Sequence, residues 1–268
     1  MKRKRIYLCV SLLFLSFFLL MAFFPNLFTS YGRKEVFNPW MEPSPSHLLG
    51  TNSLGYDVWT ELVYGTFDTI LVAVSASAIS LVLGTLFGLL SSVKGVVGVL
   101  FSGLVQVMVY LPKTLCLIVL SAFLGQKIWV TIMLVGVFTF APTSKVIQKK
   151  CISLLKTPFT REQVLYGYSS AHIYLHHVLP NLKDVFSARF LLSITTAIMM
   201  ESTLSFLGLG DLYYPTWGVM ISFARSRGAL FQGAYWSLLA PCLAIALFTI
   251  GVYLLSLSLE KDEVGVKD

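Results

Sequence analysis

The sequence has few charged residues for its length. Asp, Glu, Lys and Arg together make up 12% of the 268 residues, whereas soluble domains carry about 25%. Hydrophobic residues account for 56% of the chain, and its mean hydropathy is +0.77. A soluble fold of this composition would have to bury nearly every residue, so the composition indicates a membrane protein.

The sequence also lacks paired cysteines. None of Cys9, Cys116, Cys151 and Cys242 belongs to a C-x-x-C pair, and three of the four lie within apolar runs. Cysteines in such runs are typical of small buried hydrophobic side chains. We therefore expect neither a bound metal nor a cofactor at these residues.

A continuous basic surface is missing as well. The net charge is +7, but the basic residues flank long apolar runs, as topology signals do. Nucleic-acid binding requires one basic face or stripe. The charge distribution therefore argues against a nucleic-acid partner and for a lipid bilayer.

Six apolar stretches are long enough, or nearly so, to cross a bilayer, which takes about 20 residues. They cover residues 6–24, 69–90, 96–124, 128–142, 186–207 and 236–257. Pro112 and Lys113 interrupt the third stretch and predict a kink or a break there. The sequence thus predicts an all-α polytopic membrane protein with six transmembrane helices.

The first stretch follows the basic run Lys2-Arg3-Lys4-Arg5 and comprises 19 residues. The apolar region of a signal peptide has about 7–15 residues and precedes a small-x-small cleavage site, whereas this stretch is followed by Pro25-Asn26. We interpret residues 1–30 as an uncleaved signal-anchor helix.

The distribution of Lys and Arg predicts the orientation. With the N-terminus in the cytoplasm, the segments on that side carry 14 basic residues and the outer segments carry 5. This bias favours cytoplasmic N- and C-termini. It divides the chain into the anchor, an irregular extracytoplasmic loop at 31–65, a transmembrane core at 66–260 with a cytoplasmic loop at 145–185, and a cytoplasmic tail at 261–268.

The cytoplasmic loop contains signals for two short helices. Thr157-Pro158 is a start signal, and Thr160 with Gln163 matches a capping box, which predicts a helix over 161–166. Gly167 either breaks the helix or allows a close approach of another chain. Ser169-Ser170 can cap a second helix over 171–178, which Pro180 should stop.

The surface of these two helices permits two interpretations. Aromatic and apolar residues with polar edges are typical of protein docking, but an amphipathic helix pair on lipid headgroups has the same pattern. His172 and His176 share one helix face and could begin a zinc site in a membrane metalloenzyme. No acidic or cysteine ligand is near them in sequence, so a polar interface is the simpler interpretation.

Three segments carry a resemblance to a known family. Gly167, followed by His177 and then Leu179-Pro180-Asn181, resembles the coupling loop of binding-protein-dependent ABC importer permeases. Residues 47–58 (HLLGTNSLGYDV) resemble the HxLGTDxxGRDV segment of the second permease of dipeptide, oligopeptide and nickel importers. Residues 201–210 (ESTLSFLGLG), followed by Pro-Thr-Trp-Gly at 215–218, resemble the EASLSFLGLG segment of the same branch.

The resemblance implies a set of partners. Such permeases form a heterodimer with a sister permease in the bacterial inner membrane, bind two ATPase subunits in the cytoplasm and receive substrate from an extracytoplasmic binding protein. The printed sequence contains no G-x-x-x-x-G-K-[ST] phosphate-binding loop. ATP hydrolysis is therefore expected in a partner chain. Peptides, nickel and metal chelates all remain open as substrates.

The resemblance also assigns residues. Those expected to couple to the ATPase are Glu162, Gly167, Tyr168, His177, Pro180 and Asn181. Those expected along the translocation pathway are Met199, Met200, Glu201 and Ser202. A carboxylate deep in a span is costly unless it faces protein or water, so Glu201 either lines the pathway or bonds backbone groups of the following turn.

Two departures from the family pattern affect these assignments. The family often has Glu-Ala-Ala where this chain has Arg161-Glu162-Gln163, which alters the expected docking contacts. Tyr56 stands where the family usually has Arg. A secondary transporter or channel remains an alternative, although no paired repeat is visible and Glu201 is the one acidic residue expected deep in a span.

Overall fold

The structure is a computed structural model that describes residues 2–259, with side chains described for all of these except Lys2, Arg3, Arg161 and Val164. The predicted cytoplasmic tail at 261–268 lies outside the described residues. The described part forms ten α-helices: α1 Lys2–Phe23, α2 Val58–Ser92, α3 Val96–Tyr110, α4 Lys113–Leu124, α5 Ile128–Leu155, α6 Pro158–Leu165, α7 Ser170–Ile173, α8 Lys183–Leu204, α9 Trp217–Ser226 and α10 Trp236–Leu259.

Extended structure is minimal in this range. Between residues 2 and 259, β-pairing is limited to two isolated bridges, Val36–Tyr56 and Thr51–Asp57. Both lie in the segment between α1 and α2. The predicted all-α membrane fold is confirmed.

A parallel pair, α2 and α5, forms the centre of the bundle, since contacts run from Ile79 with Gly136 to Gly88 with Ile147. Glycines let the two backbones approach closely along its length. A Cβ added at Gly84 would lie 2.7 Å from Thr143 Cγ2, one at Gly88 would lie 2.8 Å from Ile147 Cγ2, and one at Gly136 would lie 2.8 Å from Ile79 Cγ2. Small residues serve this purpose in membrane helix pairs, where lipid removes most of the hydrophobic drive for association.

The remaining spans surround this pair. α1 packs mainly against α10, and α8 packs against both α2 and α10. Their aromatic side chains meet at Trp217, which is fully buried; its ring centroid lies 5.3 Å from that of Phe18 and 5.9 Å from that of Phe248. Edge-on aromatic pairs at these separations add to the apolar burial.

Five helical segments are long and apolar enough to span a membrane, and α3 with α4 forms a sixth candidate bent by 87°. The parallel arrangement of α2 and α5 explains the path of α3 and α4. α3 starts at the Ser92 end of α2, whereas α4 leads through a three-residue link to Ile128, which starts α5 at the opposite end. The two helices therefore cross the bundle once, and the prediction of six spans with a break at Pro112 is confirmed.

Several helix limits differ from the sequence predictions. The fourth span does not end at Pro142 but continues to Leu155, with Pro142 inside α5. α2 begins at Val58, within the range 31–65 that was interpreted as a loop. α9 was not predicted, because it falls in an outer segment whose apolar run is too short to read as a span.

Candidate functional sites

The loop predicted to be cytoplasmic begins with α6, which starts one residue after Thr157, as the Thr157-Pro158 signal predicts. The predicted capping box is wrong. Thr160 lies inside α6, where its hydroxyl donates to the Leu154 carbonyl at 2.9 Å and lies 3.0 Å from the Thr157 hydroxyl. These bonds tie α6 back to the end of α5, so the two helices turn as a unit.

Gly167 breaks the helix, as predicted. Its φ is +83°, a conformation that favours glycine, and a Cβ at this position would meet nothing within 4 Å. Glycine is thus required here by its backbone conformation rather than by a close neighbour within this chain. The Tyr168 N–H donates to the Gln163 carbonyl at 3.2 Å and closes the end of α6.

Ser169 caps the following helix, which confirms that prediction. Its Oγ accepts a 3.3 Å hydrogen bond from the His172 N–H. A cap of this kind contributes about 1 kcal/mol. The cap fixes where the helix restarts after Gly167.

Pro180 does not stop this helix, and the sequence prediction is wrong on this point. Helical structure continues from Ser170 past Pro180, through a π-turn at Tyr174–Val178 and a 3₁₀ turn at Leu179–Leu182, into α8. The helical backbone is interrupted beyond α8 at Gly208, whose φ is +83°. Pro180 stands at the start of the 3₁₀ turn, where a missing N–H is tolerated. Asn181 Nδ2 donates to the His177 carbonyl at 2.6 Å and satisfies an acceptor near the proline.

We call residues 158–182 the coupling segment. Its inner side is held by a small core in which Ile173, Val178 and Leu182 pack with Ile147 and Cys151 of α5. The Tyr174 hydroxyl also lies 3.0 Å from Ser92 Oγ at the end of α2. The coupling segment, which continues into α8, is thereby also held against α5 and the end of α2.

The outer side of the coupling segment is largely apolar and exposed. Leu165 is 85% exposed and Tyr166 78%, and Tyr168 and Leu175 are also exposed. Glu162, Gly167, Pro180 and Asn181 are exposed too, whereas His177 is half-buried against Phe159 with a ring separation of 5.2 Å. Five of the six predicted coupling residues thus face outward.

The histidines of the segment form a stack rather than a metal site. The His172 ring lies 4.9 Å from that of Tyr168 and 4.2 Å from that of His176, with both pairs nearly parallel. Among the described residues, no group of three or more His, Cys, Asp or Glu could hold a metal ion. The arrangement gives no support to the zinc-enzyme alternative.

Glu201 occupies a closed polar site near the C-terminal end of α8, with only 3% of its surface exposed. Its Oε1 accepts hydrogen bonds from the hydroxyls of Thr216 at 2.5 Å and Ser205 at 2.7 Å, and Ser202 Oγ lies 3.4 Å from Oε2. The partners are side-chain hydroxyls, not the backbone groups that the sequence suggested. Buried carboxylates need such partners, because an unpaired one is strongly destabilising.

The four predicted pathway residues do not share one surface. Met199 is 56% exposed on the outside of α8, Met200 and Ser202 are half-buried, and Glu201 points into the bundle. The structure therefore joins Glu201 to Ser202, Ser205 and Thr216, and separates it from Met199.

The Glu201 site is bounded by α9, which sequence reasoning missed. Thr216 caps α9 by accepting from the Val219 N–H at 3.3 Å while it donates to Glu201. A Cβ at Gly218 would lie 2.7 Å from Ser202 Cα. The Pro-Thr-Trp-Gly sequence, already noted as a motif, was the available signal, since Thr before an apolar run is an N-cap pattern.

The segment between α1 and α2 is irregular, as predicted, but it is held in place by specific side-chain contacts. His47 Nδ1 lies 3.0 Å from Asp57 Oδ1, and both residues are buried. Asp57 Oδ2 also caps α2 by accepting from the Thr60 N–H at 2.8 Å. Gly50 has φ +62°, and a Cβ there would lie 2.3 Å from the Met41 carbonyl oxygen. The HLLGTNSLGYDV stretch is thus a compact fold over the start of α2.

Comparisons with known proteins agree with this architecture. Residues 80–262 match the family described as "Binding-protein-dependent transport system inner membrane component". A dipeptide transport system permease protein from Alkalihalophilus pseudofirmus is 30% identical over 246 residues, which cover 90% of this chain and 80% of that protein.

Two further relatives carry similar names. A putative peptide permease protein from Brucella suis is 31% identical over 212 residues, covering 78% of this chain and 70% of that protein. A di/tripeptide transport system permease protein from Pseudomonas aeruginosa is 28% identical over 255 residues, covering 91% and 83%. Six helical spans, the Gly167 break and these matches together show that the chain belongs to the binding-protein-dependent transport system inner membrane component family, the permease subunits of ABC importers.

Proposed function

We propose that this chain is one half of the translocation pathway of an ATP-driven peptide importer in a bacterial cytoplasmic membrane. It pairs with a sister permease, docks two ATPase subunits in the cytoplasm and receives peptide from an extracytoplasmic binding protein. The names of the relatives favour peptides over nickel or metal chelates. The orientation follows the 14-to-5 bias of basic residues.

The continuity of the helix from Ser170, past Pro180, to the end of α8 at Leu204 is the observation that carries the proposal. An importer must convert closure of its soluble ATPase subunits into movement of membrane helices. One helical run here begins beside the exposed Leu165–Tyr168 surface and reaches the Glu201 site, a path of about 48 Å along the helix for the 32 residues from Ser170 to Glu201. Force applied at the coupling segment would reach the outer end of α8 without passing through a flexible joint.

The ATPase would contact the apolar outer side of the coupling segment. Leu165, Tyr166 and Leu175 expose large apolar areas, and residues of this type supply most binding energy at interfaces. Glu162 is exposed and would act as a rim charge, worth about 1 kcal/mol or less.

The test compares two glycines of the same backbone type. Gly167 and Gly233 both have positive φ, and a Cβ at either would meet nothing within 4 Å. Gly167→Asp should leave the protein in the membrane but abolish substrate uptake and co-purification of the ATPase. Gly233→Asp introduces the same strain and charge at the opposite end of the bundle from the coupling segment, so this variant should retain the ATPase.

Glu162→Ala should reduce both readouts far less than Gly167→Asp. Normal uptake and ATPase retention by Gly167→Asp would exclude the coupling role. Uptake that persists after ATP depletion would favour a secondary transporter instead.

A further inference from the structure

A cleft of about 1140 Å³ lies between three parts of the chain at the end of the bundle that holds the coupling segment. Its walls are the α2–α3 turn with the start of α3, the last turns of α5, and the inner edge of the coupling segment. Leu165, at the edge of the proposed ATPase-contacting surface, lines it, but none of the ten residues predicted from the sequence for coupling or for the pathway does. The cleft therefore needs an explanation of its own.

Hydrogen bonds brace the walls of this cleft. Gln148 Nε2 donates to the Ser91 carbonyl at 2.9 Å and to Ser102 Oγ at 3.3 Å, which joins α5 to α2 and α3. Ser92 Oγ and the Tyr174 hydroxyl join α2 to the coupling segment. The gap is thus framed by elements that are fixed to one another, as a preformed binding site would be.

The charged residues that line the cleft are both cationic. Lys94 lies on the α2–α3 turn and Lys156 at the end of α5, and neither forms an ion pair in the part of the chain that the structure describes. The lining residues include no Asp or Glu. α3 begins at the rim at Gly95 without a side-chain cap, which adds partial positive charge from its free N–H groups.

An apolar surface continues from this cationic mouth. Ile152, Leu155 and Val99 line the cleft, and Val96 on the same helix as Val99 is 82% exposed. Cations beside an apolar groove match a molecule with an anionic head and hydrocarbon chains. A soluble phosphate would use only the polar half.

We propose that this cleft binds an acidic phospholipid of the inner leaflet, with the headgroup phosphate at Lys94 and Lys156 and the acyl chains along α3. Basic pockets between transmembrane helices on the cytoplasmic side bind anionic lipid headgroups in this way. The proposal rests on the orientation given under the proposed function. The bound lipid would link the α2–α3 turn to the base of the coupling segment.

The experiment measures lipid retention by the complete transporter complex. The complex is purified in detergent, supplied with phosphatidylglycerol or phosphatidylcholine, and examined by native mass spectrometry without ATP or substrate. We expect selective retention of phosphatidylglycerol. Lys94→Gln and Lys156→Gln should each weaken it about fivefold and the double variant about 25-fold, at about 1 kcal/mol for each lysine near an anionic surface.

Lys150→Gln is the matched control. Lys150 is exposed on the same end of α5 but does not line the cleft, so this variant should retain phosphatidylglycerol as the unaltered protein does. Equal retention of both lipids, or equal losses in all three single variants, would overturn the proposal.

Glycerol phosphate serves as the soluble competitor. Displacement of the lipid by glycerol phosphate at equal concentration would identify a soluble phosphate site and overturn the assignment to lipid. Because no transport is measured, failure of this proposal and failure of the importer function give different results. A chain that retains the lipid but imports no peptide would refute only the proposed importer function.

Discussion

The Thr216 hydroxyl donates a 2.5 Å hydrogen bond to Glu201 Oε1 and so joins the start of α9 to the end of α8. Ser205 Oγ donates to the same oxygen from the first residue of the π-turn that follows α8. Both donors and the carboxylate are buried. The Glu201 side chain therefore helps to hold the C-terminal end of α8 to the start of α9.

Removing the Thr216 hydroxyl should destabilise this contact. Thr216→Val keeps the shape of the side chain but leaves Glu201 with one strong donor fewer and removes the cap of α9. A hydrogen bond to a charged group contributes about 1.5–3 kcal/mol, so the thermal unfolding midpoint in detergent should fall by several degrees. Thr216→Ser keeps the hydroxyl and should remain close to the unaltered protein. Identical midpoints for the two variants would contradict the structural role of the bond.

The α2–α5 seam gives a second prediction. Gly88→Ala places a Cβ 2.8 Å from the Ile147 side chain, and overpacking of this kind costs about 1–3 kcal/mol. Gly103→Ala is the matched control, since a Cβ on this α3 glycine meets nothing within 4 Å. Gly103→Ala should leave stability unchanged or raise it by up to about 1 kcal/mol through helix propensity. Thermal unfolding of the two variants in the same detergent measures the difference.

The continuity of the long helix can be tested at Ser187, an exposed residue near the start of α8. Ser187→Pro removes the backbone bond to Lys183 and breaks the helix at a cost of about 3 kcal/mol. We expect this variant to bind the ATPase but to lose substrate-stimulated ATP hydrolysis and uptake. Ser187→Ala should keep all three activities. Full uptake by Ser187→Pro would show that force does not travel along this helix.

Cysteine labelling tests the orientation in a variant from which Cys9, Cys116, Cys151 and Cys242 have been removed. Ser46 is exposed in the outer segment, and Tyr168 is exposed on the coupling segment. The reagent is a maleimide that cannot cross the cytoplasmic membrane, added to whole cells whose layers outside that membrane have been made permeable to it. It should label Ser46→Cys and spare Tyr168→Cys. The reverse pattern would invert the topology and remove the basis of the ATPase and lipid proposals together.

Local sequence patterns determined the spans and the break in the coupling segment. Six apolar stretches predicted six crossings, because hydrocarbon accepts only helices or closed barrels. Gly167 and Ser169 were predictable from the backbone freedom of glycine and the capping ability of serine, which depend on a few neighbouring residues. The basic flanks predict the orientation from equally local information.

Tertiary structure alone decided the features that depend on distant partners. Pro180 was expected to stop a helix, yet the chain continues past it because packing of Leu182 against Ile147 favours a 3₁₀ turn into α8. The environment of Glu201 depends on Thr216, 15 residues away, and the order of the outer segment depends on contacts such as that between His47 and Asp57. Periodicity and capping signals act over one or two helical turns, so they cannot specify which distant side chains will meet a buried carboxylate or fold a polar segment onto a helix.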